Sequence, residues 1–272
     1  MRAFRLAYDG RPFHGFQRQP DVPTVEDALF DALRELGVLG ADADAPPGYA
    51  GAGRTDAGVS AFAQTVAFSA PDWLTPAALN SGLPATVRAW ARAEAPAEFH
   101  ATHDATSRSY RYHLHAPPDA VSDERARDAL DALRGEHDFH NLTPDDTGTV
   151  RTLDGSLSRD GAFLVVELTA GGFARQLVRR VVSLVASIAR GDRDLAAVDR
   201  VLASAQLPGP KGVPPAAAYP LVLVDVTYPD LDFTVDADAK ESARTVFADR
   251  RDEHRTRARV ADELVAGLRN RP

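Results

Sequence analysis

The 272-residue chain reads as α+β, with antiparallel or mixed sheets flanked by helices. Three observations lead there. Short alternating or apolar runs of strand length recur in both halves. Capped helical repeats lie between them, long enough to cover a sheet. The strands follow one another through tight turns such as Asp160-Gly161, not through strict strand–helix–strand alternation.

Phe4, Leu6 and Tyr8 alternate with Arg5 and Ala7, a strand closed by the turn Asp9-Gly10. Thr24 opens a helix with Asp27 at the capping-box position, and Val25, Leu29, Leu33 and Leu36 share one face until Gly37 ends it. Residues 41–47 are a loop of small, acidic and proline residues. Thr65 to Phe68 is a strand, Thr75-Pro76 starts a short helix, and Val87 to Ala91 is a further strand. Ser107 to His115 begins the second unit, followed by a helix from Ser122 to Leu133. Residues 149–157 and 162–169 form a hairpin. Gly171-Gly172 leads into a helix from Phe173 to Arg190 with the stripe Leu177, Val181, Leu184 and Ile188. A helix over 194–204, a Pro/Gly-rich linker over 208–215 and a strand over 221–227 complete the unit. We divide the chain at 1–104, 105–230 and 231–272, the last a charged, exposed helical extension whose arginines interleave with acids.

Composition limits what such a chain can do. The content is 44% hydrophobic and 26% charged, as in a soluble globular protein. No apolar run approaches the ~18 residues of a membrane span, and the N-terminus lacks a signal-peptide core, so a cytoplasmic location is expected. Zero cysteines exclude thiolate catalysis and cysteine-held metal centres. Net charge is −8, and of 31 basic residues only Lys211 and Lys240 are lysines. That balance suits a high-salt cytoplasm, where dense acidic surface maintains solubility and arginine supplies fixed cations.

The stretch Gly51-Ala52-Gly53-Arg54-Thr55-Asp56-Ala57-Gly58 is the most informative in the chain. It sets a guanidinium and a carboxylate two residues apart in a loop too glycine-rich for helix or strand. Glycines allow close backbone approach or positive φ. A dinucleotide fingerprint would need its third glycine where Asp56 stands, placing negative charge against a pyrophosphate, and no Gly-Lys-Ser/Thr of a P-loop occurs. Six of the eight histidines (His100, His103, His113, His115, His137, His140) fall in pairs of zinc-ligand spacing. Those pairs sit on different elements and no HExxH helix exists, so no metal is expected.

This loop resembles the AGRTDAGV signature of the tRNA pseudouridine synthase A family. Further pieces fall in that family's order: Tyr8-Asp9-Gly10 with Gly15 to Gln19, Phe99-His100-Ala101, Tyr110-Arg111-Tyr112, and Phe173 followed by Leu177-Val178-Arg179. The resemblance runs from about Phe4 to Pro229. It implies two domains of related topology joined in one sheet, with a positive catalytic cleft between them. It also implies isomerisation of uridine to pseudouridine in the tRNA anticodon stem-loop (positions 38–40), by a homodimer without cofactor or metal. On this resemblance Asp56 is the catalytic carboxylate, Arg54 grips the RNA as the base flips out, Tyr110 stacks on the uracil, and Arg179 orients Asp56. Arg175, read as one turn earlier on the same helix face, is a candidate phosphate contact. The chain departs from the family at Ser60, Gln176-Leu177 and Tyr219-Pro220, which touches base packing and leaves those four residues intact. The alternative is a non-catalytic RNA-binding paralogue, which would be expected to lack Asp56 or Arg179.

The acidic composition predicts that stability rises from low salt toward molar KCl as self-repulsion is screened. Melting curves across that range check it, and a midpoint that falls with added salt would contradict it.

Overall fold

The structure is a computed structural model that describes residues 1–207 and 212–269. Ten strands form one sheet: β1 (Arg2–Tyr8), β2 (Ala50–Gly51), β3 (Ser60–Phe68), β4 (Val87–Glu94), β5 (Ser107–His115), β6 (Gly135–Asp138), β7 (Val150–Asp160), β8 (Phe163–Ala170), β9 (Leu221–Thr227) and β10 (Thr234–Val235). Their order is β10-β4-β1-β3-β9-β5-β8-β7-β6, with β2 beside β3. The pairs are antiparallel except β3 with β9, which run parallel from Ser60 opposite Val222 to Ala61 opposite Leu223. That short parallel seam joins the halves, because β9 comes late in the chain yet lies between β3 and β5.

Laterally paired residues share a sheet face. The register therefore lines up Val87, Tyr8, Ala61, Leu223, Tyr110 and Leu168 in one row across both halves. Helices α1 (Val25–Glu35) and α2 (Pro76–Gly82) cover the first half of that face. Helices α3 (Asp123–Asp131), α4 (Leu177–Arg190) and α5 (Ala196–Leu202) cover the second. Two apolar clusters result, one on Phe4, Leu6, Leu29, Leu33 and Phe68, the other on Leu164, Leu168, Val181, Leu184 and Ile188. Tyr110 packs against both.

The expected caps form. Thr24 accepts from the Asp27 amide while Asp27 accepts from the Thr24 amide, and Thr75 caps α2 with Pro76 at its first position. Gly37 and Gly161 take positive φ at the helix end and hairpin turn. Three short strands, β2, β6 and β10, escape sequence reading because two to four residues carry no periodicity. The helix expected from Phe173 starts at Leu177 instead: Gln176 sits at φ 61°, a left-handed conformation that breaks helical geometry. The linker expected over 208–215 falls partly on residues 208–211, outside the described residues; Val213, beyond them, is buried in the second cluster.

The C-terminal extension is α6 (Ala237–Arg269), which buries Ala239 and Ala243 and reaches Asp9 through Arg250 at 3.3 Å. From Arg255 to Arg269 it is exposed throughout. No helix among the described residues is long and apolar enough to cross a membrane.

Two loop glycines meet different surroundings. A Cβ on Gly51 would lie 2.6 Å from the Phe16 ring, whereas one on Gly53 meets nothing within 4 Å. Gly51→Ala should therefore destabilise by about 1–3 kcal/mol through overpacking. Gly53→Ala should leave the melting temperature near that of the parent, and equal losses at the two positions would contradict this packing account.

Candidate active site

The loop between β2 and β3 is pinned from several sides, which is why a segment with no secondary structure of its own holds one shape. The Ala52 amide donates to the Thr65 carbonyl at 2.8 Å, and the Gln64 amide to the Gly53 carbonyl at 2.8 Å. Thr55 is buried, and its hydroxyl bonds that of Tyr8 at 2.8 Å. Burial pushes the Tyr8 phenol far above its ordinary range, so it stays protonated. The Asp56 carbonyl accepts from the Val59 amide, and Gly58 takes φ 81°, closing the loop in a tight turn that needs its glycine.

These constraints present Asp56 between the two halves. Its Oδ2 accepts from Arg179 Nη1 at 2.8 Å. Its side chain remains 31% exposed and that of Arg179 16%, so the carboxylate stays reachable while held. Oδ1 has no hydrogen-bond partner among the described residues, leaving one oxygen for a ligand. Arg179, in the first turn of α4, is itself locked: Nε donates to the Ala216 carbonyl at 2.7 Å, and the Ala216 amide donates back to the Arg179 carbonyl at 3.0 Å.

The Asp56 charge also acts on Tyr110. Its phenol is pushed up to about 12, by burial first, with the Arg108 charge pulling the other way and Asp56 adding slightly. Phe173 meets the Tyr110 ring edge-on at 5.3 Å between centroids. Arg54 is exposed at the loop tip and makes no ion pair among the described residues. The four candidate residues thus separate into a coupled pair, Asp56 and Arg179, an aromatic floor, Tyr110, and an outward cation, Arg54. Tyr112 is buried in the second core cluster.

Arg175 is a correction. It lies before α4, not one turn earlier on the same helix, and its Nε pairs with Asp145 at 3.2 Å. Among the described residues no group of three or more His, Asp or Glu is placed to hold a metal. His100 and His103 adjoin at 4.2 Å between ring centroids.

Sequence reasoning missed several supporting residues. Ala216, Gln64 and Thr102 act through backbone carbonyls or amides that no motif records; Thr102 donates from its hydroxyl to the Gly51 carbonyl at 2.6 Å. Tyr8 lay inside a quoted motif, but its contact with Thr55 spans 47 positions and no spacing rule reaches it.

The family model described as tRNA pseudouridine synthase matches residues 129–229. Curated relatives named tRNA pseudouridine synthase A extend the match. One from Haloarcula marismortui is 60% identical over 98% of this chain and the whole of its own length. Another, from Natronomonas pharaonis, is 60% identical over the whole of both chains. A third, from Methanosarcina mazei, is 37% identical over 97% of this chain and 98% of its own. The match therefore reaches through α6, beyond the limit at Pro229 expected from motifs. Halophilic sources among these relatives agree with the acidic, lysine-poor composition. Similarity of this extent makes the chain a member of the tRNA pseudouridine synthase A family, an isomerase.

Proposed function

We propose that this enzyme converts uridine to pseudouridine in the anticodon stem-loop of tRNA, at positions 38–40, with Asp56 as the catalytic carboxylate. One observation carries the assignment: Asp56 has one oxygen fixed by Arg179 at 2.8 Å and the other without a hydrogen-bond partner among the described residues. The reaction breaks the N1–C1′ bond, rotates the uracil and forms a C5–C1′ bond. The C5 proton leaves and N1 acquires one, so composition is unchanged. A carboxylate poised at the sugar serves either attack on C1′ or removal of the 2′-proton.

The other residues follow in role. Arg179 holds the carboxylate aimed. Tyr110, kept protonated by burial, offers a ring on which the flipped uracil stacks and a hydroxyl that can pass a proton. Arg54, exposed and without an ion pair among the described residues, grips backbone phosphate and fills the space that the base leaves. The same reading carries a homodimer acting in the cytoplasm; light scattering on the purified protein checks the dimer.

Tritium release from tRNA labelled at uridine C5 tests the proposal. Wild-type protein should release tritium, and tRNA binding without release would instead favour an RNA-binding paralogue. Asp56→Asn should lose at least about a thousandfold in turnover while tRNA affinity stays within severalfold, because affinity rests on arginine–phosphate contacts. Arg179→Ala should lose nearly as much, and the double variant no more than either single one, because the two act as a unit. Arg54→Ala should stay folded and act less efficiently on tRNA. Wild-type turnover in Arg179→Ala would reduce that residue to a phosphate contact.

A further inference from the structure

Arg108 is buried at 8% exposure in β5, between β8 and β9, and no carboxylate forms an ion pair with it among the described residues. Backbone carbonyls surround its guanidinium instead. Nη1 donates to Ala105 at 3.0 Å and Gly171 at 2.6 Å. Nη2 donates to Ala52 at 2.9 Å and Thr102 at 2.5 Å. These carbonyls come from three separate stretches. Ala52 stands four residues before Asp56, and Gly171 opens the connection that reaches Arg179 eight residues later. Thr102 and Ala105 belong to the crossing from the first half to the second.

We propose that Arg108 is a positioning residue: by bonding the stem of the Asp56 loop and the root of the Arg179 helix with one guanidinium, it sets the spacing between those two side chains. The proposal rests on the assignment of Asp56 and Arg179 made above. Three considerations support it. First, burying a cation without a counter-ion is costly unless oriented dipoles replace water, so four carbonyls on one group are a demanding arrangement for mere filling. Second, the fork geometry matters. Each terminal nitrogen of Arg108 spans two carbonyls on different segments, whereas a lysine ammonium concentrates its donors at one point. Third, the Thr102 hydroxyl bonds the Gly51 carbonyl at 2.6 Å, so the carbonyls of Gly51, Ala52 and Gly53 are held by Thr102, Arg108 and Gln64 in turn. With its stem fixed, the loop has little freedom to move Asp56 away from Arg179.

A group that sets this spacing should act on turnover and leave tRNA capture alone. Steady-state tritium release should show kcat reduced at least about tenfold in Arg108→Lys and about a hundredfold in Arg108→Met, since sub-ångström to 1 Å misplacement of reacting groups has effects of this size. KM for tRNA should stay within about threefold of wild type, because phosphate contacts are untouched. Thr102→Val should lower kcat severalfold and add nothing once combined with Arg108→Lys. Circular dichroism establishes that each variant is folded at the assay temperature. If Arg108→Met fails to fold, Arg108→Lys and Thr102→Val decide the matter. A folded Arg108→Lys with wild-type kcat, or a loss confined to KM, overturns the proposal. An inactive wild-type enzyme would instead remove the functional reading on which it stands.

Discussion

The candidate site depends on a contact between residues 123 positions apart, the Asp56–Arg179 pair. Neither partner can find the other through local structure. Asp56 sits on a loop of the first half, Arg179 on the opening turn of a helix in the second. What brings them together is the two-residue parallel seam of β3 with β9, flanked by β5, which makes one continuous sheet from two halves. The Val59 amide closes the turn after Asp56, and Ser60 enters the seam one residue later. Ala216, which clasps Arg179, leads into β9 on the other side of the same seam. Loop, seam and helix are thus one mechanical unit.

Arginine does structural work here that charge alone does not explain. Arg2 donates to the Pro71 and Leu74 carbonyls, Arg5 to those of Ala63 and Val226, Arg88 to Asn80 and Leu83, and Arg180 to Val213. Arg5 also lies over the Phe233 ring at 4.3 Å. Burial lowers the pKa of Arg5, Arg88, Arg108 and Arg180, yet a guanidinium has protonation to spare. A lysine in these positions would be exposed to losing its charge and could not fork. The near absence of lysine therefore reflects internal carbonyl clips as well as a salt-adapted surface.

Much of the fold was legible because its signals are local. The Thr24 cap with Asp27, the Thr75-Pro76 start and the Asp160-Gly161 turn each lie within a few residues, and β5 and β9 fall at their expected bounds. The start of α4 was illegible because Gln176 adopts a left-handed conformation without being glycine, supported by Arg180, which donates to its side-chain oxygen at 3.1 Å. Non-glycine residues are held there at a cost of about 1–3 kcal/mol only where their surroundings insist, and strain of this kind clusters at functional sites. At the candidate site, Asp56, Arg54, Tyr110 and Arg179 came from the resemblance, and the structure pairs Asp56 with Arg179. Of the supports, Ala216 acts through its own backbone, and the side chains of Gln64, Thr102 and Arg108 bond backbone carbonyls of distant segments, pairings that no sequence spacing records.

A net charge of −8 looks unsuited to a polyanionic substrate, and the geometry shows how the conflict is reduced. Near molar salt the screening length shrinks to about 3 Å, so neither the acidic surface nor a distant basic patch acts far into solution. Counterion release also contributes less as salt rises, which weakens purely ionic RNA binding steeply. Recognition must then come from contacts at bonding distance. On the proposed reading, the exposed Arg54 bonds phosphate bidentately and the Tyr110 ring stacks on a base, and neither interaction needs a long-range field. The Asp56–Arg179 pair is only partly exposed, which shields its attraction from the same screening. The acidic composition and the arginine-clipped interior are therefore compatible: acidic surface charge favours solubility, and buried arginines bond backbone carbonyls whatever the salt.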